Sequence, residues 1–257
     1  MQLKFWLGVC VALVSSAATA QKPRQMLTIW LVQPAGTQPG TVEASSTDFI
    51  LKQRLLPTGL AQLTGPFQDA DGNRALGRGT QLFEVKSDVP IYCVAGMRKP
   101  KGFDKWMKGG TTSQFCLVDM DSDRRFDGYF EPISMVPGLP TIAGKRPKKL
   151  KPMTPVGYEL ADPATLEKPF WIGIQYQGKP LLYDRRNFGV SFGSDTGKGS
   201  LTSWVYTSGS SYPVSQKLLG ASFTVLGEAG GKVRVRIDQP IPPQPFGVMH
   251  SVTYRIY

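Results

Sequence analysis

Four aspartates recur at close intervals in the segment Cys116-Leu117-Val118-Asp119-Met120-Asp121-Ser122-Asp123-Arg124-Arg125-Phe126-Asp127-Gly128. Asp119, Asp121, Asp123 and Asp127 occupy positions 1, 3, 5 and 9 of one loop. A tight loop with that spacing can turn several carboxylate oxygens toward a single hard cation such as Ca2+, which takes only oxygen ligands. The same segment carries features that oppose a cation. Arg124 stands sixth, where the turn wants glycine, and Phe130 stands twelfth, with Glu131 one residue late for a bidentate ligand. Arg124 and Arg125 would repel a cation and neutralise the aspartates themselves. The second reading is an acidic turn between two strands, held by Asp–backbone and Asp–Arg contacts. A weaker echo, Asp69-Ala70-Asp71-Gly72-Asn73, reads as a turn.

The aspartate spacing resembles the start of the calcium loops of EF-hand and dockerin proteins. The resemblance covers about a dozen residues and implies Ca2+ at the turn, with oxygen ligands from Asp119, Asp121, Asp123 and Asp127. The flanks here read as strands, where those loops are entered and left by helices. On the acidic-turn reading the chain has no cofactor.

Two basic stretches form the next group. One is Lys145, Arg146, Lys148, Lys149 and Lys151, with no acid anywhere between positions 137 and 156. The other is Arg98, Lys99 and Lys101, continuing through Phe103, Lys105, Trp106 and Lys108. Lysine and arginine interleaved with aromatics can hold a polyanion such as a lipid surface or an acidic glycan. The alternative is a pair of solvated loops.

Other strings fail on their neighbours. Asp195-Thr196-Gly197 has the letters of an aspartic-protease triplet, but Gly193-Ser194 precede it, Lys198-Gly199 follow it, and no second triplet exists. Gly197-Lys198-Gly199-Ser200 lacks the upstream glycine of a phosphate loop. His250 is the only histidine, which excludes multi-histidine zinc sites, and it lies on the apolar side of a terminal strand pattern. No G-x-S-x-G elbow occurs. Carboxylate-only chemistry, as in glycoside hydrolysis, needs no histidine and survives these exclusions.

The elements that must position these groups are strands. Phe170, Ile172, Ile174 and Tyr176 alternate with Trp171, Gly173, Gln175 and Gln177, and Val233, Val235 and Ile237 alternate with Lys232, Arg234 and Arg236. Val248, His250, Val252, Tyr254 and Ile256 form one side of a last strand. These patterns predict half-buried strands. Leu27 to Leu31 is nearly all apolar and predicts a strand buried on both faces. Glu228-Ala229-Gly230-Gly231 predicts a hairpin turn, and Asp162-Pro163 a short helical turn with Asp162 as cap and Pro169 as stop. With 28 Gly and 21 Pro, long helices are disfavoured. The fold class expected is mostly β, an antiparallel sandwich-like architecture with little helix. It divides into a β-rich domain at 21–136, a basic Pro-rich linker at 137–156 and a second β domain at 157–257. One continuous sandwich with a long crossing loop is the alternative.

Residues 1–20 read as a cleaved signal peptide: Lys4 is positive, Phe5 to Val14 is apolar, and Ala18-Thr19-Ala20 supplies the small residues before the cut. Export to a periplasm or the extracellular space follows, with no transmembrane helix after cleavage. Cys10 leaves with the leader, so Cys93 and Cys116 remain as a pair, expected to form one disulfide worth about 3 kcal/mol. With 30 Lys and Arg against 19 Asp and Glu the chain is basic, yet export makes nucleic acid a poor partner and an anionic envelope surface or glycan a better one. Two functions follow from this reading. The first is an exported, non-catalytic binding or scaffolding protein. The second is a carboxylate-based hydrolase acting on a polysaccharide, which would need two carboxyls about 5–9 Å apart in a cleft lined by Trp or Tyr.

Overall fold

The computed structural model describes residues 24–36, 40–69, 75–95, 112–134, 138–179, 185–194, 197–208 and 211–247. The expected signal peptide at 1–20, the turn expected at Asp71–Asn73, the Arg98–Lys108 stretch with Lys99 and Lys101, the Asp195-Thr196 pair and the last strand expected around His250 all fall outside these residues. In chain order the strands are β1 (Gln25–Leu27), β2 (Trp30–Val32), β3 (Thr41–Ala44), β4 (Phe49–Pro57), β5 (Leu60–Leu63), β6 (Phe67–Gln68), β7 (Ala75–Leu76), β8 (Gln81–Val85), β9 (Ile91–Val94), β10 (Thr112–Ser113) and β11 (Cys116–Val118). They continue with β12 (Arg125–Phe130), β13 (Ile133–Ser134), β14 (Ala143–Lys145), β15 (Lys151–Ala161), β16 (Phe170–Gly178), β17 (Arg185–Ser194), β18 (Gly197–Ser208), β19 (Val214–Leu218), β20 (Ala221–Ala229), β21 (Lys232–Gln239) and β22 (Pro245–Phe246). A 3-10 turn, Pro163–Thr165, joins β15 to β16, and Asp162 accepts the Ala164 N–H at 2.9 Å as the expected cap. No helix among the described residues is long and apolar enough to cross a membrane.

Three antiparallel layers organise the chain, as the mostly-β reading expects. A closed barrel runs β11-β12-β15-β5-β8-β9, a six-stranded sheet runs β18-β17-β16-β4-β2-β22, and a four-stranded sheet runs β19-β20-β21-β3. Period 2 divides the barrel strands between two cores. Ala61, Leu63, Leu82, Tyr92, Leu117, Phe126, Val156 and Tyr158 form one cluster with a residue from every barrel strand. Tyr92 on β9 reaches Tyr158 on β15 with ring centroids 5.3 Å apart, although these strands are not neighbours, so this cluster is the barrel interior. Leu60, Phe83, Ile91, Cys93, Cys116 and Val118 point outward into the larger core shared with the sheets. Trp30 joins the two: its ring lies 5.6 Å from Phe83 on the barrel and 4.7 Å from Phe170 on the sheet, and its Nε1 donates to the Pro140 carbonyl.

The expected disulfide is present. Cys93 and Cys116 are directly opposed on β9 and β11. The Val94 N–H donates to the Phe115 carbonyl, so the cysteines occupy the neighbouring non-hydrogen-bonded pair, where side chains approach most closely. Both are fully buried. The 228–231 hairpin also forms, with φ of 58° at Gly230 and 76° at Gly231, the two positive values that a type I′ turn requires.

The structure departs from the expected layout in two places. The apolar run Leu27 to Leu31 is split between β1, paired with β14, and β2, paired with β4 and β22, and Thr28 between them still bonds the residue before β14. The Thr28 N–H donates to the Ile142 carbonyl and its hydroxyl accepts the Ile142 N–H. Only alternate residues, Met26, Thr28 and Trp30, are buried. The strand pairing also does not follow a division into 21–136, 137–156 and 157–257. β14 pairs with β1 and β15 closes the barrel against β12 and β5, so the expected linker holds strand. The early strands β2, β3 and β4 pair with the late strands β22, β21 and β16. Non-local ladders leave no mark in the local composition on which that division rested.

Candidate functional site

The acidic turn joins β11 to β12 at one end of the barrel. Asp119 is the first residue beyond β11 and is 0% exposed. Its Oδ1 accepts the Asp123 N–H at 3.3 Å, and its Oδ2 accepts the Arg124 N–H at 3.0 Å and the Tyr158 hydroxyl at 2.9 Å. Asp127 Oδ2 accepts the Met120 N–H at 2.8 Å. Asp123 Oδ1 accepts the Arg125 N–H at 2.7 Å, and Asp121 Oδ1 lies 3.4 Å from the Asp123 nitrogen. The turn depends on positive φ at Ser122 and Arg124, 62° and 70°. Aspartate oxygens thus satisfy the N–H groups that a sharply folded backbone leaves without ladder partners.

Asp119, Asp121 and Asp127 bring one carboxylate oxygen each within 4.8 Å of one another; Asp123 lies outside that group. Arg124 and Arg125 are exposed. Arg146 Nη1 lies 3.4 Å from Met120 Sδ in the same turn.

Arg146 corrects the reading of the basic stretch. Its side chain is only 7% exposed, and its Nη2 lies 3.6 Å from Asp88 Oδ2. Burial pushes the Asp88 carboxyl up, but the Ser87 hydroxyl, the Arg24 N–H and the Arg146 charge together pull it below the ordinary carboxylate value. A positive charge inside a charge run need not be solvated, and here Arg146 turns inward between exposed neighbours. Lys145, Lys148 and Lys149 are exposed. Lys151 is exposed and also bonded, 3.3 Å from Glu131 Oε1 and 5.5 Å from the Tyr129 ring centroid.

Sequence reasoning missed the two tyrosines that stand behind the acidic turn. Tyr92, Phe126 and Tyr158 fill this end of the barrel, with Phe126 and Tyr158 stacked at 4.3 Å. The signal was available, since Val156 and Tyr158 stand two apart in β15 with small Gly157 between them and Glu159 beyond. Burial holds the Tyr92 hydroxyl protonated and pushes it up to about 12, with further contributions from the Glu84 and Asp119 charges. Tyr158 is raised by burial, then by its hydrogen bond to Asp119 and the charge there.

A raised phenol has a definite sign. The unfolded chain ionises its tyrosines near 10 while the folded chain keeps Tyr92 neutral, so this stabilisation is intact below pH 10 and is lost as pH rises toward 12. Alkaline titration is expected to show two tyrosine classes by ultraviolet difference absorbance. The late class should ionise together with the loss of β-sheet circular dichroism. Ionisation of every tyrosine near 10 with the sheet signal intact would contradict this packing.

A glycoside hydrolase would need paired carboxylates in a cleft lined by Trp or Tyr. A cleft of about 180 Å3 is lined by Glu43, Gly227, Glu228, Ala229, Lys232 and Arg234. It holds two acids but no Trp or Tyr among the described residues, and Glu228 is bound to Arg186 at 2.6 Å. A second cleft, near Thr80, Gln81, Glu167 and Lys168, has one acid. No protein-family model matches the chain, and neither a curated protein nor a solved structure matches it.

Proposed function

We propose that this chain is an exported, non-catalytic binding or scaffolding protein that docks on an anionic surface of the cell envelope or extracellular space. The observation that carries the proposal is the turn between β14 and β15. Lys145, Lys148 and Lys149 project into solvent there with no acid between 137 and 156. The turn is held from both sides, by the β1–β14 ladder and by the barrel strand β15, while the Arg146 side chain is tied inward to Asp88. Three ammonium groups on a fixed backbone meet an anionic surface with little further ordering cost. The buried Cys93–Cys116 bridge supports an oxidising compartment, and hence export.

Co-sedimentation with vesicles of equal parts phosphatidylglycerol and phosphatidylcholine tests the proposal. Binding is expected at low ionic strength, falling steeply by physiological salt as the Debye length shortens to about 8 Å. The triple variant Lys145→Ala, Lys148→Ala, Lys149→Ala should lose roughly 3 kcal/mol of binding, about 1 kcal/mol per lysine at a charged bilayer. Binding that ignores salt, or that survives the triple substitution, would remove this surface from consideration.

A further inference from the structure

We infer that the outer face of the six-stranded sheet holds a second binding surface, built for acidic glycan chains carrying a carboxylate on each sugar. Phe170, Ile172 and Ile174 of β16 face the core and are buried. Trp171 and Gly173 therefore face outward, directly opposite Arg54 and Lys52 on β4. Arg54 and Lys52 are exposed, and Trp171 and Phe49 are half-buried. The Phe49 and Trp171 rings meet edge to face at 4.9 Å, and Lys52 Nζ lies 4.7 Å from the Trp171 ring centroid. Gly173 lets this cluster lie close to the sheet: a Cβ there would stand 2.9 Å from the Phe49 ring. Arg54 Nη2 donates to the Ala164 carbonyl of the 3-10 turn, which fixes the guanidinium beside the aromatic pair.

The chemistry of this patch differs from that of the Lys145–Lys149 turn. A phosphate headgroup uses positive charge alone and gains nothing from an indole. A uronate sugar presents both a flat C–H face and a carboxylate. The C–H face packs on Trp171 and Phe49, and the carboxylate pairs with Lys52 and Arg54, arginine supplying planar donors suited to it. The ammonium now resting on the indole is the group that the carboxylate would draw aside.

Calorimetric titration of the full mature chain with hexagalacturonate, and with neutral maltohexaose, tests the assignment at low salt. Wild type should bind the acidic oligomer and not the neutral one. Trp171→Ala should weaken binding at least about tenfold, and so should Lys52→Gln with Arg54→Gln, a pair of exposed positions whose replacement leaves the core intact. Lys148→Ala with Lys149→Ala should change it by less than about twofold. No binding of hexagalacturonate by wild type, equal binding of maltohexaose, or full binding by the Lys52/Arg54 variant would overturn the assignment. Loss in the Lys148/Lys149 variant alone would also overturn it and would place acidic glycans on the β14–β15 turn. Failure of vesicle binding bears only on that turn.

Discussion

Replacing Asp119 with alanine is expected to destabilise the protein by roughly 3–6 kcal/mol, in the presence of chelator as much as in calcium. The carboxylate is buried and accepts three donors, from the backbone at Asp123 and Arg124 and from the Tyr158 hydroxyl. Removing it leaves the Arg124 N–H and the Tyr158 hydroxyl without this acceptor, at about 1–3 kcal/mol apiece, and the Asp123 N–H with only its long contact to Asp121. Asp121→Ala removes an exposed side chain with one long contact and should cost under about 1 kcal/mol. Urea unfolding in chelator separates two roles for the turn. If these hydrogen bonds hold it, Asp119→Ala is costly and Asp121→Ala is nearly silent. If a cation holds it, both variants instead lose one calcium-dependent increment of melting temperature. A cost below about 1 kcal/mol for Asp119→Ala in chelator would show that the hydrogen-bonded turn is not what the fold relies on.

Glu228→Ala is expected to cost about 3–5 kcal/mol, because it takes the paired carboxylate from a buried guanidinium. Glu228 Oε2 accepts from Arg186 Nε at 2.7 Å and stands 2.6 Å from Nη2, and the Arg186 side chain is only 7% exposed. The Tyr212 ring lies 5.7 Å from the guanidinium carbon. This pair links β17 of the larger sheet to β20 of the smaller one. Removing both charges should be gentler than removing one: Arg186→Met with Glu228→Leu should recover most of the loss, since apolar side chains of similar size avoid the desolvation penalty. Chemical denaturation of the two single variants and the double variant measures this. A double variant as unstable as Glu228→Ala would show that the guanidinium's other contacts matter more than the ion pair.

What the residues disclosed and what they hid follow one physical division. Alternation at Val233–Ile237, the Gly230-Gly231 turn and the Asp162 cap are local, and the structure has each of them; Phe170–Tyr176 forms its strand, but Gly173 and Gln175 on its other side are buried too. The cysteine pairing followed from the count. β15 was hidden by Pro152 and Pro155, which read as linker. In the structure Phe126 opposes Val156 and Gly128 opposes Pro152, so residues 153–155 form an irregularity opposite Asp127. Pro155 sits where the β12 ladder asks for no N–H. The Arg146–Asp88 pair, the Tyr158–Asp119 bond and the Arg186–Glu228 pair each join side chains far apart in the chain. No spacing rule reaches that far. The aspartate spacing and its Asp–backbone bonds were legible, yet the Tyr158 hydroxyl that also binds Asp119 was not.

The pairing of early with late strands has a consequence for the order in which the molecule can assemble. The barrel has its full set of strands once Ala161 has been made, whereas the four-stranded sheet waits for Gln239 and the six-stranded sheet for Phe246. Until then β3 lacks its β21 partner and β2 its β22 partner, and closing such distant ladders carries a large entropic cost that slows folding. A growing chain therefore keeps the edges of β2 and β3 uncovered, and it has most need of a holding partner before its last strands arrive.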